Sequence, residues 1–137
     1  MTETPNDSNR RSAAAPSTRD GLIAEHAIVD LFDVAPTTLT DRDSACAAIE
    51  AALLAAGMRI IDQKSCVFAN GGFTAVFLLA ESHASVHSYP ERGFVAVDVM
   101  SCAHRPTAEI VRRIRDYFAP QRTEVRVLNR GEPSTAE

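Results

Sequence analysis

Apolar and polar positions sort along this chain into stretches with the period of a strand or of a helix, and those stretches predict its elements. His26 to Val34 is an apolar-rich run with Asp30 and Asp33 set into it, closed by Pro36, as a first strand would be. Beyond it Ala45, Ala48, Ile49, Ala52, Leu53 and Ala56 recur at helical spacing, with Asp41 or Asp43 as the N-cap and Gly57 as the stop. That stripe is mostly alanine, so the helix is expected to lie close on a sheet. Met58 to Asp62 and Phe73 to Ala80 read as strands on either side of Asn70-Gly71-Gly72; the second is apolar throughout and is expected to be covered on both faces. Ser82 to Ser88 and Phe94 to Ser101 form a hairpin around a short loop holding Pro90 and Gly93. Pro106 opens a second helix with Ile110, Val111, Ile114, Tyr117 and Phe118 as its buried stripe, Pro120 ends it, and Glu124 to Leu128 is a last strand.

The order strand, helix, four strands, helix, strand predicts an α+β fold: a two-layer α/β sandwich with helices on one face of a mainly antiparallel sheet. The other face of that sheet needs cover. A second copy would supply it by sheet-on-sheet packing, two sandwiches dimerising into a larger one.

Length and composition bound the rest. With 137 residues and 45% hydrophobic content the chain can bury one ordinary core, so a single domain is expected over 21–130. Residues 1–20 are rich in Ser, Thr, Pro, Ala and charge, and they and the tail 131–137 are expected to be disordered. The formal net charge of -4, with basic residues scattered rather than massed, gives no footprint for nucleic acid or an anionic membrane surface. The longest stretch without charge, Ser65 to Ala80, is broken by Asn70-Gly71-Gly72 and too short to cross a bilayer, and no apolar signal-peptide core opens the chain. A cytoplasmic protein is expected. Cys46, Cys66 and Cys102 are odd in number and form no Cys-x-x-Cys pair, which fits reduced thiols.

The candidate chemistry is concentrated between Glu81 and Cys102, where a hydroxyl, imidazoles, carboxylates and a thiol share one hairpin. Each has a plain alternative: Ser82 as a strand serine, Cys102 as a small core residue, Phe68 and Tyr89 as core aromatics. His83, His87, Cys102 and His104 invite a reading as metal ligands, but no zinc spacing fits them, and no metal is expected.

Taken together, the Glu81-Ser82-His83 triplet, His87 five positions after the serine, the Pro90-Glu91 pair, the apolar strand carrying Asp98, and Cys102 twenty positions after the serine make a motif. This segment resembles the processing and active-site region of the small prokaryotic S-adenosylmethionine decarboxylases, which cut their own backbone before a serine and convert it into a pyruvoyl group. The likeness spans about His26 to Gly131 and is densest from Glu81 to Cys102. It implies cleavage between Glu81 and Ser82, Ser82 as the pyruvoyl precursor that forms a Schiff base with substrate, His87 as the proton acceptor in processing, and Thr74 as an aid to processing. It further implies Cys102 as the proton donor in catalysis, Phe68, Tyr89 and Glu91 as substrate-binding residues, and a homodimer of cleaved protomers with neither metal nor pyridoxal phosphate. The pyruvoyl ketone would do the electron-sink work that pyridoxal phosphate does elsewhere. The expected activity is decarboxylation of S-adenosylmethionine for spermidine biosynthesis.

The chain departs from the family pattern in two places. It reads His87-Ser88-Tyr89-Pro90-Glu91 where most members read His-Thr-Trp-Pro-Glu, and Cys66 stands where many carry a histidine. Two alternatives therefore stay open: a pyruvoyl-dependent ornithine or arginine decarboxylase, and a regulatory or binding paralogue that never cuts itself.

Overall fold

Residues 23–80, 82–102 and 105–131 are described by the computed structural model. The expected N-terminal tail, nearly all of the C-terminal one, and the side chains of Glu81 and His104 lie outside the described residues. Six strands are present: β1 (Ala24–Phe32), β2 (Ile60–Val67), β3 (Phe73–Leu79), β4 (Ser82–Tyr89), β5 (Phe94–Cys102) and β6 (Arg122–Arg130). They form one sheet in the order β2-β3-β4-β5-β1-β6, and every ladder is antiparallel. Among the described residues three α-helices accompany it, α1 (Pro36–Leu39), α2 (Arg42–Ala55) and α3 (Ala108–Phe118), with a short 3-10 turn over Pro90–Arg92.

Alternation along the strands decides where the core lies, because successive strand side chains point to opposite faces. Val29 and Leu31 of β1, Phe73, Ala75 and Phe77 of β3, Ala84 and Val86 of β4, and Val95, Val97 and Val99 of β5 are all buried in one cluster. Ala45, Ile49 and Leu53 of α2 and Ile110, Ile114 and Phe118 of α3 complete that cluster, so both long helices cover the same face. The expected α+β two-layer sandwich is what forms.

Local chemistry fixes the ends of α2. Asp41 accepts a hydrogen bond from the Ser44 N–H at 3.1 Å and caps the start. At the other end Gly57 has φ +78, its N–H donates to Leu54 O at 2.9 Å, and the Met58 N–H reaches Leu53 O at 3.1 Å. That pair of reversed bonds is a Schellman stop, and glycine takes its left-handed residue without a Cβ penalty.

Three expectations are corrected. β3 is covered on one face only: Val76 and Leu78 are 43% and 51% exposed while their strand neighbours are buried. The reason is layer count, since an antiparallel sheet with helices on one side leaves its other side open whatever its sequence. β2 runs to Val67 instead of ending at Asp62, because its polar residues lie on an exposed edge strand, where charge is common. Pro36 does more than close β1, serving as the first residue of the helical turn α1.

Candidate active site

β3 and β4 are joined by the two residues Ala80 and Glu81, with Leu79 paired to Ser82. Ser82 thus opens β4 at the head of a tight hairpin. It is half-buried and lines a cavity of about 220 Å³ with Gly57, Met58, Arg59, Ala80, Cys102 and Arg105. Cys102 reaches this cavity as the last residue of β5, so a serine and a thiol twenty positions apart in sequence share one space. The other two thiols have different surroundings. Cys46 is buried under α2, where burial pushes its thiol up against the opposing hydrogen bond of Gln63, and Cys66 is exposed on β2.

The register of the hairpin places the remaining residues. Thr74 lies opposite His87, and Thr74 Oγ1 and His87 Nδ1 are hydrogen-bonded at 2.9 Å. On the far side Thr74 pairs with Cys66, so Cys66, Thr74 and His87 form one row across three strands. A second, more open cavity of about 520 Å³ contains Thr74 and His87 together with Phe68, Asn70, Tyr89 and Glu91. Asn70 ties two of its walls, accepting from the Gly72 N–H at 2.9 Å and donating from Nδ2 to Glu91 Oε2 at 2.9 Å. Phe68 is 52% exposed, while Tyr89 stacks on Phe94 with ring centroids 5.6 Å apart.

Along β4, Ser82 and His87 are five positions apart, which at ~3.3 Å per residue separates them by about 16 Å. Within one chain the two sites are distinct: Ser82 and Cys102 in one, Thr74, His87 and the substrate-binding candidates in the other.

Between them, on the open face, sits a polar cluster. Ser85 lies directly opposite Asp98 and donates to Oδ1, His26 Nε2 is 2.9 Å from Asp98 Oδ2, and His83 Nε2 is 3.4 Å from the same oxygen. Burial pushes the Asp98 carboxyl up, but the bonds from Ser85 and His26 and the influence of His83 outweigh it and hold the group below the usual carboxylate range. Among the described residues, His26, His83 and Asp98 are the group whose ligand atoms come close enough to hold an ion. The outer contact of His26 tells against one: Arg130 Nη1 lies 3.3 Å from His26 Nδ1 and can only donate, so Nε2 carries the proton toward Asp98. Of the residues weighed as ligands from sequence, His83, His87 and Cys102 do not gather: His83 sits in this cluster, Cys102 in the cavity of Ser82 and His87 in the second cavity, while His104 lies outside the described residues.

A family model described as S-adenosylmethionine decarboxylase matches residues 25–131. The chain belongs to the S-adenosylmethionine decarboxylase family. It is 33% identical over 114 residues to an S-adenosylmethionine decarboxylase proenzyme of Parasynechococcus marenigrum, covering 82% of this chain and 89% of that one. A Methanococcus vannielii protein of the same name is 33% identical over 110 residues, 80% of this chain and 90% of its own. Among solved structures, the adenosylmethionine decarboxylase of Aquifex aeolicus superposes with a TM-score of 0.76 at 27% identity, covering 85% of this chain and 97% of that one. AdoMetDC of Trypanosoma brucei shares the fold at 12% identity, with a TM-score of 0.56 over 75% of this chain and 45% of its own.

For a member of the S-adenosylmethionine decarboxylase family, the structure adds partners and residues to which pattern reading gave no role. Asp98 was visible as a lone carboxylate in an apolar strand, and the hairpin register alone would have set Ser85 against it. His26 gave no signal, because its approach to Asp98 depends on β1 lying beside β5. Arg59 and Arg105 also gave none; both come to the first cavity from outside the hairpin.

Proposed function

We propose that this chain is a self-processing, pyruvoyl-dependent decarboxylase. It is a carboxy-lyase, and its substrate is S-adenosylmethionine, yielding the aminopropyl donor for spermidine synthesis. The relatives' names favour that substrate over ornithine or arginine, and the word proenzyme in them favours a chain that cuts itself over a non-processing paralogue. The observation that carries the reading is the shared cavity of Ser82 and Cys102 at the head of the β3–β4 hairpin.

The residues fit a pyruvoyl group made from Ser82. Its hydroxyl has no hydrogen-bond partner among the described residues, and it stands beside the peptide bond it must attack. Addition of Oγ to the Glu81 carbonyl carbon, with loss of the Ser82 nitrogen from that carbon, exchanges the amide for an ester. A base then removes the Ser82 α-proton, the Glu81 carboxylate leaves with Oγ, and water releases ammonia from the dehydroalanine to give the ketone. When formed, that ketone withdraws the electron pair left as carbon dioxide departs. Cys102 delivers the proton that the substrate carbon then requires, as a general acid in the same cavity.

His87 is the base in this scheme, with Thr74 holding its Nδ1. The ~16 Å between Ser82 and His87 on one strand means that a second copy must bring its own His87 to Ser82. A two-fold pairing through the open sheet face does this symmetrically, giving two equal sites per homodimer and covering Val76 and Leu78. Phe68 and Tyr89 offer aromatic faces to an adenine and a sulfonium, and Glu91 offers a carboxylate to ribose hydroxyls.

The test is the mass of the purified protein followed by carbon dioxide release from S-adenosylmethionine, ornithine and arginine. Fragments 1–81 and 82–137 are expected, the second blocked to Edman chemistry, with release from S-adenosylmethionine. A folded chain that stays whole after long incubation would overturn the pyruvoyl reading; release from ornithine or arginine alone would overturn the substrate.

A further inference from the structure

Contacts around the first cavity that none of these roles uses converge on Arg105. Its backbone N–H donates to Cys102 O at 2.8 Å, tying it to the end of β5, and Ser101 Oγ donates to Arg105 O. Its side chain crosses to α2, where Nη1 donates to Ala56 O at 3.1 Å and also to Gly57 O. Carbonyls at a helix C-terminus have run out of ladder partners and carry the negative end of the helix dipole, so a guanidinium is well matched to them. Gly57 is what admits it: a Cβ there would collide with Arg105 Nη1. Two residues further on, buried Glu25 accepts from the Thr107 N–H at 3.1 Å and from its hydroxyl at 2.6 Å. The turn beyond Cys102 is thereby pinned to α2 on one side and to β1 on the other.

We propose that Arg105 is a positioning residue for Cys102, its guanidinium latching the turn onto Gly57 so that the thiol meets the substrate carbon and the cavity wall stays closed to water. This rests on the decarboxylase reading above. The step it governs has two outcomes. A proton delivered to the substrate carbon lets one water release the decarboxylated amine and restore the ketone. A proton delivered instead to the former ketone carbon lets one water release the substrate skeleton as an aldehyde, and the substrate nitrogen stays on the protein as an N-terminal alanine. That alanine is readable by Edman chemistry, whereas the pyruvoyl terminus is blocked.

The experiment counts N-terminal alanine formed per carbon dioxide released in purified, cleaved protein. Arg105→Ala is expected to raise that ratio about tenfold and to lower kcat by a similar factor, with KM changed by less than about twofold, the pattern of a lost contact in the reaction step and not in binding. Arg105→Lys, which keeps a cation and a donor for the same carbonyls, should recover part of the loss. Gly57→Ala, made on a different element, should shift the ratio in the same direction by displacing the guanidinium; these two variants carry the test if Arg105→Ala does not fold. An unchanged alanine ratio in the variants that fold, or a raised KM with that ratio unchanged, would overturn the positioning role, the latter by showing Arg105 to be a substrate contact. A wild-type chain that never yields a blocked 82–137 fragment fails earlier, at the mass spectrum, and takes the underlying reading with it.

Discussion

The two cavities are built in different ways. The one around Ser82 and Cys102 lies at strand ends and is walled by backbone-anchored turns and the stop of α2. The one around Thr74 and His87 opens on the uncovered face, with Thr74 and His87 set opposite each other by ladder register and Phe68, Asn70 and Glu91 brought in from the connections at that end of the strands. Strand ends can shape a closed space but depend on the loops that pin them. Cross-strand rows on an uncovered sheet face are held in register yet face outward and need something to close over them. A reaction that uses residues of both must bring two such surfaces together, which a single sheet cannot do with its own residues.

The comparison breaks most visibly at Ser82. Ser82→Ala should give one uncut chain, read from intact mass, and no carbon dioxide release, because the first cavity then lacks its proposed nucleophile. His87→Ala alone should stall after the ester has formed, so that hydroxylamine cleaves it at Ser82; rapid, complete maturation of this variant would remove His87 from the processing role.

Co-production of the two variants on differently tagged chains asks whether the cavities cooperate across subunits. In a mixed dimer the His87→Ala chain keeps its Ser82 and meets the intact His87 of the Ser82→Ala chain. On random pairing of an isologous dimer roughly half of the His87→Ala chains should then be cut. No cleavage in a verified mixed dimer would mean that the base comes from elsewhere.

Cys102→Ala leaves both cavities in place and removes only the proposed proton donor. Turnover should fall by a factor on the order of 10², the scale of a lost general acid, while the extent of cleavage changes less. A variant with near wild-type kcat would dismiss the thiol from the chemistry. Tyr89→Ala addresses the second cavity in isolation: loss of an aromatic face for a sulfonium, about 1 kcal/mol at a part-exposed ring, should raise KM for S-adenosylmethionine about fivefold with little change in cleavage.

The smallest effect belongs to the polar cluster between the cavities. The Asp98 carboxyl is held below its ordinary value in the folded chain, burial being outweighed by the bonds from Ser85 and His26 and by His83. The folded state therefore binds fewer protons than the unfolded one in this range. Asp98 thus contributes stability that is present above the ordinary carboxylate value of about 4 and is lost as pH falls through the lower folded value. Unfolding midpoints of wild type should decline more steeply below that pH than those of Asp98→Asn; parallel slopes would deny Asp98 this part in acid stability.

Much of this architecture was legible in the chain. The unbroken apolar run of β3 hid its open face, but the order of strand-like and helix-like stretches marked the two-layer sandwich, and the alanine stripe with Asp41 and Gly57 marked both ends of α2. These are local properties, dictated by backbone periodicity and by the chemistry of caps and turns over a few residues. The motif from Glu81 to Cys102 likewise pointed to the candidate groups, because their types and spacings lie within one hairpin.

Only the tertiary structure decided how those groups are divided. Two residues on one strand cannot approach each other, so Ser82 and His87 are held apart by the same extended backbone that fixes their spacing. The placement of His26 beside Asp98 requires β1 to insert between β5 and β6, and the reach of Arg105 to Gly57 requires the end of α2 to lie against the end of β5. Both join segments tens of residues apart, and nothing in the local pattern of either segment encodes the other, because the contact exists only once the helices have packed onto one face and the strands have found their order.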